Sequence, residues 1–154
     1  MNGFSWRSLL AAHGLSLVLA LAPGVTAAPA AAQQVIVIGD DRGGLVGERA
    51  RLVDRIRDAR ARVEIRGNIC YSACTMYLGA ENLCISPATT FGFHAPTRNG
   101  RPLEADSFEH WTNVMARHYS APLRAWYLST ARYQESGVME LSGADLIRIG
   151  YPAC

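Results

Sequence analysis

The chain predicts an α/β fold, a small and mainly parallel sheet flanked by helices, on three observations. Val35-Ile-Val-Ile38 is a β-branched run that ends at Gly39, as a buried strand does. Asp40-Asp-Arg-Gly-Gly44 is a turn, and a stretch of helical periodicity follows it. Val63-Glu-Ile-Arg66 is then a second strand-like run. Strand, turn, helix and strand in that order make a βαβ unit, whose strands run parallel through a right-handed crossover.

Residues 1–32 are expected to be a signal peptide. Arg7 supplies the positive start, Leu9 to Ala22 the apolar stretch, and Ala30-Ala-Ala32 a small-residue cleavage site before Gln33. The stretch runs about fourteen residues and contains His13 and Gly14, whereas a membrane span needs about twenty, so the expectation is cleavage rather than anchorage. Residues 33–154 then make one domain with one core, periplasmic or secreted, with no membrane association after cleavage.

Leu45 to Ala61 reads as the crossover helix, because Val46, Leu52, Val53, Ile56 and Ala59 form one apolar stripe. Its charges form a solvated face, with Asp58 and Arg62 spaced as an i,i+4 pair. After the second strand Gly67-Asn68 loosens the backbone, and Ser72 is placed to cap a helix running to Gly79. Leu83-Cys-Ile85 and Thr90-Phe-Gly-Phe-His94 read as two more short strands. Thr97 to Pro102 is polar and turn-rich, a candidate flap. Phe108, Trp111, Val114, Met115 and His118 recur at helical spacing, and Pro122 opens another helix through Trp126 and Leu128. These aromatics are expected in the core or at subunit contacts. Ser142-Gly-Ala-Asp145 starts a last helix to Ile149, and Tyr151 to Cys154 reads as a terminal strand.

A net charge of +2, with arginines interleaved among acids, gives no basic face for nucleic acid. Cys70, Cys74, Cys84 and Cys154 all lie in the exported part, where oxidising conditions favour disulfides. Four cysteines allow three pairings, and spacing does not choose among them. A Cys70–Cys74 bond across the turn is geometrically possible and would leave Cys84 for Cys154. The spacing matches no zinc motif and no Cys-x-x-Cys redox motif, so neither a metal site nor a cofactor is expected.

The chemistry concentrates in Cys70-Tyr-Ser-Ala-Cys74 and Phe91-Gly-Phe-His-Ala-Pro96. A hydroxyl is a weak nucleophile until a neighbouring base takes its proton, so Ser72 at a strand-to-helix turn and His94 at a later strand end point to acyl transfer. The turn at Gly43-Gly44 and the amide of Ala73 offer N–H groups to a developing oxyanion. In α/β sheets reactive groups gather at the carboxyl ends of parallel strands, where all of these fall.

From Val35 to Cys154 the chain resembles the Clp protease and crotonase superfamily, and within it the exported Clp-protease-like proteins of bacteria. Asp40-Asp-Arg-Gly-Gly44 stands where that family has an Asn-Ser-Pro-Gly-Gly loop, and Tyr71-Ser-Ala73 is similar to its nucleophile turn. Phe93-His-Ala-Pro96 is similar to its His-Gln-Pro segment, and Leu141 to Gly150 to its closing helix. The resemblance implies a Clp/crotonase-like (ββα-type) fold, a serine peptidase or related hydrolase, a peptide or other acyl substrate, and self-association into homo-oligomers. It implies Ser72 as nucleophile, His94 as base, and an oxyanion hole at Gly43, Gly44 and Ala73. Three departures stand out. Val138 occupies the place of the triad Asp, leaving Glu135 as the substitute acid, with Glu140 beside it expected to face solvent. Arg42 replaces the loop proline. The mature chain begins almost at the glycine-loop strand, so the sheet is expected to be smaller or its edge covered by another subunit. The alternative function is a catalytically inactive, disulfide-stabilised binding or assembly domain that keeps this fold without its acid.

Overall fold

The computed structural model describes residues 33–154, and the first βαβ unit forms where the sequence places it. Strand β1 (Val35–Ile38), helix α1 (Val46–Asp58) and strand β2 (Arg62–Ile65) follow one another, with the two strands parallel. The expected signal peptide lies outside the described residues. Ala50, Val53 and Ile56 are the buried positions of α1; of the expected stripe Val46 and Leu52 are half-buried and Ala59 is exposed. The helix stops at Asp58, so Arg62 belongs to β2 and pairs with Glu64 at 2.8 Å rather than with Asp58.

Strand β3 (Ile69–Tyr71) leads into a 3-10 helix over Ser72–Gly79. Strands β4 (Asn82–Ile85) and β5 (Thr90–Phe93) follow, then a hairpin of β6 (Thr97–Arg98) and β7 (Arg101–Pro102). Helices α2 (Ala105–Ala116) and α3 (Ala121–Ser129), strand β8 (Met139–Ser142) and helix α4 (Gly143–Arg148) complete the order. The molecule is thus mixed α/β, with small sheets and helices.

The strands do not form the single sheet expected. One sheet, β1-β2-β4, is parallel throughout; a second, β3-β5-β8, pairs β3 with β5 in parallel and β5 with β8 antiparallel. The division falls at Gly67-Asn68. A Cβ at Gly67 would overlap the backbone of Gly39 and Asp40, so the chain crosses there at a distance only glycine allows. The Asp40 carboxylate accepts from the Asn68 amide and pins the crossing. Just past β1, Asp41 bridges to Cys70 and ties the turn to the second sheet.

The core packs between these layers. Val53, Val63, Ile65, Met76, Phe91, Met115, Tyr127 and Leu146 are almost wholly buried. Phe93 meets Tyr119 and Trp126 edge-on, with ring centroids 5.7 and 5.3 Å apart; Phe93 and Tyr119 are core and Trp126 packs half-buried against it, whereas Trp111, expected in the core or at a subunit contact, lines a cavity instead. Helix α2 ends before His118, which is buried in the turn that follows. Helix α4 starts in a full capping box between Ser142 and Asp145. Beyond it the expected terminal strand reduces to one bridge, Ile85 to Ala153.

The cysteines pair as Cys70–Cys74 and Cys84–Cys154, with Cα atoms 5.2 and 4.7 Å apart. Two disulfides fit an oxidising compartment. Among the described residues no helix is long and apolar enough to cross a membrane. On the outer strand β1, Val35 and Val37 remain exposed.

Candidate active site

Ser72 does not cap the helix that follows it. The residue in the cap position is Tyr71, extended at φ −108°, with no side-chain cap bond, and Ser72 itself has φ +56°. That left-handed conformation costs an L-residue about 1–2 kcal/mol and persists only where the surroundings impose it. The surroundings here are specific. The Cys70–Cys74 disulfide brackets the turn, and both cysteines are fully buried. The Thr75 hydroxyl donates to the Ser72 carbonyl at 2.7 Å and also meets the Tyr119 hydroxyl. On the other side lies Gly43, where a Cβ would stand 2.6 Å from the Ser72 Cβ.

The glycine turn is itself fixed by Asp41. One oxygen of its carboxylate accepts from the Gly43 amide at 2.7 Å, and the other pairs with Arg49 at 2.8 Å. Arg49 also donates to the Gly43 carbonyl and lies 4.3 Å over the Tyr77 ring. Gly43 therefore cannot serve as an oxyanion donor, because its N–H is already engaged. Its contribution is the missing Cβ, which lets the turn lie against Ser72 and the Ala73 amide. Gly44, at φ +140°, lines the cavity described below. Ala73 sits in the first turn of the 3-10 helix, where backbone N–H groups have no partner within the helix.

His94 follows β5 directly. Its Nδ1 lies 2.6 Å from the carbonyl oxygen of Ala95. A carbonyl only accepts, so Nδ1 carries the hydrogen of that bond, and in the neutral ring Nε2 is then the nitrogen that holds the lone pair a general base requires. The Ala95 amide is anchored in turn on the Gln134 carbonyl at 2.9 Å. Neither glutamate considered for the acid takes part in this arrangement. Glu135 is exposed, and it is not among the residues lining the cavity. Glu140 does not simply face solvent: on β8 it accepts from the Tyr71 hydroxyl at 2.6 Å, which raises the Tyr71 pKa. The Tyr71 ring fills the space over Gly92, its register partner on β5.

Gly44, Ser72 and His94 open onto one cavity of about 430 Å³, but no hydrogen bond joins the Ser72 hydroxyl to the His94 ring among the described residues. Its apolar wall is Leu45, Val46, Leu103 and Trp111, with Trp111 packed against Gly47 in the first turn of α1. Its far rim is the β6–β7 hairpin, the polar segment read as a flap. Asn99 and Gly100 both have positive φ there, as a two-residue hairpin turn requires. Arg51 and Arg98 reach the rim as well.

Several of these residues were hidden in the sequence. Asp41 had a readable signal, since an Asp two residues before a glycine amide commonly closes on it. Trp111 had none, because its spacing marks a helix face and says nothing of a cavity. Among the described residues no group of three or more His, Cys, Asp or Glu is placed to hold a metal ion. Of the known proteins, no family model matches the chain and no curated protein matches it.

Proposed function

We propose that this protein is a periplasmic or secreted serine hydrolase of the Clp protease and crotonase type, acting on a peptide or another acyl substrate. The observation that carries the reading is a serine held at positive φ on a strand-to-helix turn, opening onto the same cavity as a histidine whose Nε2 is the free acceptor. In this reading Ser72 Oγ attacks the acyl carbonyl and His94 Nε2 takes its proton. The amides of Gly44 and Ala73 receive the developing oxyanion, His94 returns the proton to the leaving group, and water completes the cycle. The apolar wall around Trp111 holds the acyl side, and the exposed valines of β1 favour self-association.

The Ala95 carbonyl holds the histidine tautomer but brings no net negative charge to the imidazolium. Loss of that charge in a serine protease slows turnover by about ten-thousandfold, so this enzyme is expected to be slow. The test is a fluorophosphonate probe on the mature, oxidised protein, with the adduct mapped by mass spectrometry. Labelling of Ser72 that disappears in His94→Ala is the expected result. A folded protein in which Ser72 is never labelled would instead be a binding or assembly domain that retains the cavity without the chemistry.

A further inference from the structure

The geometry points to a second assignment: we infer that the Cys70–Cys74 disulfide is a positioning device for the Ser72 nucleophile, and not a staple for the fold. Its effect on reactivity rests on the hydrolase reading; its effect on the backbone does not. The bond closes a ring of residues with Ser72 at the centre, and φ turns positive inside that ring. Its ends stand 5.2 Å apart, whereas four residues of continuing strand would carry them about 13 Å apart. The chain leaves β3 for the 3-10 helix inside this ring, and the bond is inferred to hold that reversal with Ser72 against the cavity.

The two other restraints leave that job undone. Thr75 holds the Ser72 carbonyl, and Gly43 makes room for the Ser72 Cβ, but neither fixes the distance between the strand end and the helix start. As a staple the bond has little leverage. A cross-link restrains the unfolded chain in proportion to the logarithm of the loop it closes, and here the partners are 4 apart in sequence, against 70 for Cys84–Cys154. Both sulfurs are also buried in the core, so their contacts would persist largely unchanged in a pair of small apolar residues.

The experiment compares two matched double variants, Cys70→Ala with Cys74→Ala, and Cys84→Ala with Cys154→Ala, each against the wild type. Three quantities are read: the rate of fluorophosphonate labelling at Ser72, the thermal midpoint, and the Ser72 φ from NMR couplings and backbone shifts. The first variant is expected to lose labelling by about a hundredfold, with φ leaving the positive region and only a small drop in midpoint. The second should show the larger drop in midpoint, with labelling within about twofold of wild type and φ unchanged. Retention of positive φ in the first variant overturns the inference. So does its failure to fold, which would make the bond a staple after all. If the wild type is never labelled, the hydrolase reading fails by itself, and the φ comparison still decides whether the bond sets the serine.

Discussion

Ser72 at φ +56° makes a stability prediction whose sign is opposite to that of a helix cap. The perturbation is Ser72→Gly. A glycine adopts positive φ at no steric cost, which relieves about 1–2 kcal/mol, while its freer unfolded chain takes back about 0.4–1 kcal/mol. No hydrogen bond from Ser72 Oγ is found among the described residues, so the hydroxyl subtracts little. The net expectation is a variant more stable than wild type by about 0.5–1 kcal/mol, or a rise of about 3 °C for a domain of this size. A helix cap behaves oppositely, with Ser→Gly costing a few tenths and Ser→Ala about 0.5–2 kcal/mol. Ser72→Ala, which keeps the strain and loses no bond, should lie within about 0.5 kcal/mol of wild type. The assay is reversible urea and thermal unfolding followed by circular dichroism, with both disulfides intact. A lowered midpoint for Ser72→Gly would refute the argument, and labelling of that variant by a serine probe at this position would be impossible in any case.

His118 gives a pH prediction. Both ring nitrogens are buried without a hydrogen-bond partner, and burial, with Arg117 adding to it, lowers the pKa from 6.5 to about 4. Asp54 opposes this weakly and Arg57 reinforces it. Because the folded pKa is depressed, the unfolded chain takes the proton first: the contribution is whole above about pH 6.5, is lost as pH falls toward 4, and falls no further below that. The loss is about 3 kcal/mol, read as the extra fall in urea stability of wild type over His118→Leu between pH 7 and 4. Equal falls would refute it. Gly43→Ala should cost about 2 kcal/mol or more and slow Ser72 labelling, since its Cβ would lie 2.6 Å from that of Ser72. A neutral denaturation midpoint would show that the turn can move aside.

What the sequence made legible were the features that local chemistry decides. β1, α1 and β2 follow from a β-branched run, two glycines and an amphipathic stripe, each of which acts within a few residues. The capping of α4 was equally local. Strand β8 was not foreseen, because Met139–Ser142 becomes a strand by pairing with β5 and not by its own propensity. The split into two sheets depends on the contact between Gly67 and Gly39, far apart in the chain and silent in any window. Ser72 illustrates the same limit within one residue. A serine ahead of a helix reads as a cap, and its positive φ, beside a Gly43 that leaves room for its Cβ, has no signature in the local sequence. The membership of the cavity was partly visible, since Gly44, Ser72 and His94 all line it, although among the described residues no hydrogen bond joins the Ser72 hydroxyl to the His94 ring, while Trp111 and the arginines of its rim did not announce themselves.

The orientation of His94 comes from the main chain, and this has a practical consequence. A third group supplied by a side chain can be deleted by changing a codon; the Ala95 oxygen cannot, because every amino acid brings the same one. Scanning the surrounding acids one at a time would leave the imidazole where it is and return no partner. Moving it requires altering the path of the peptide itself, through the anchor between Ala95 and Gln134.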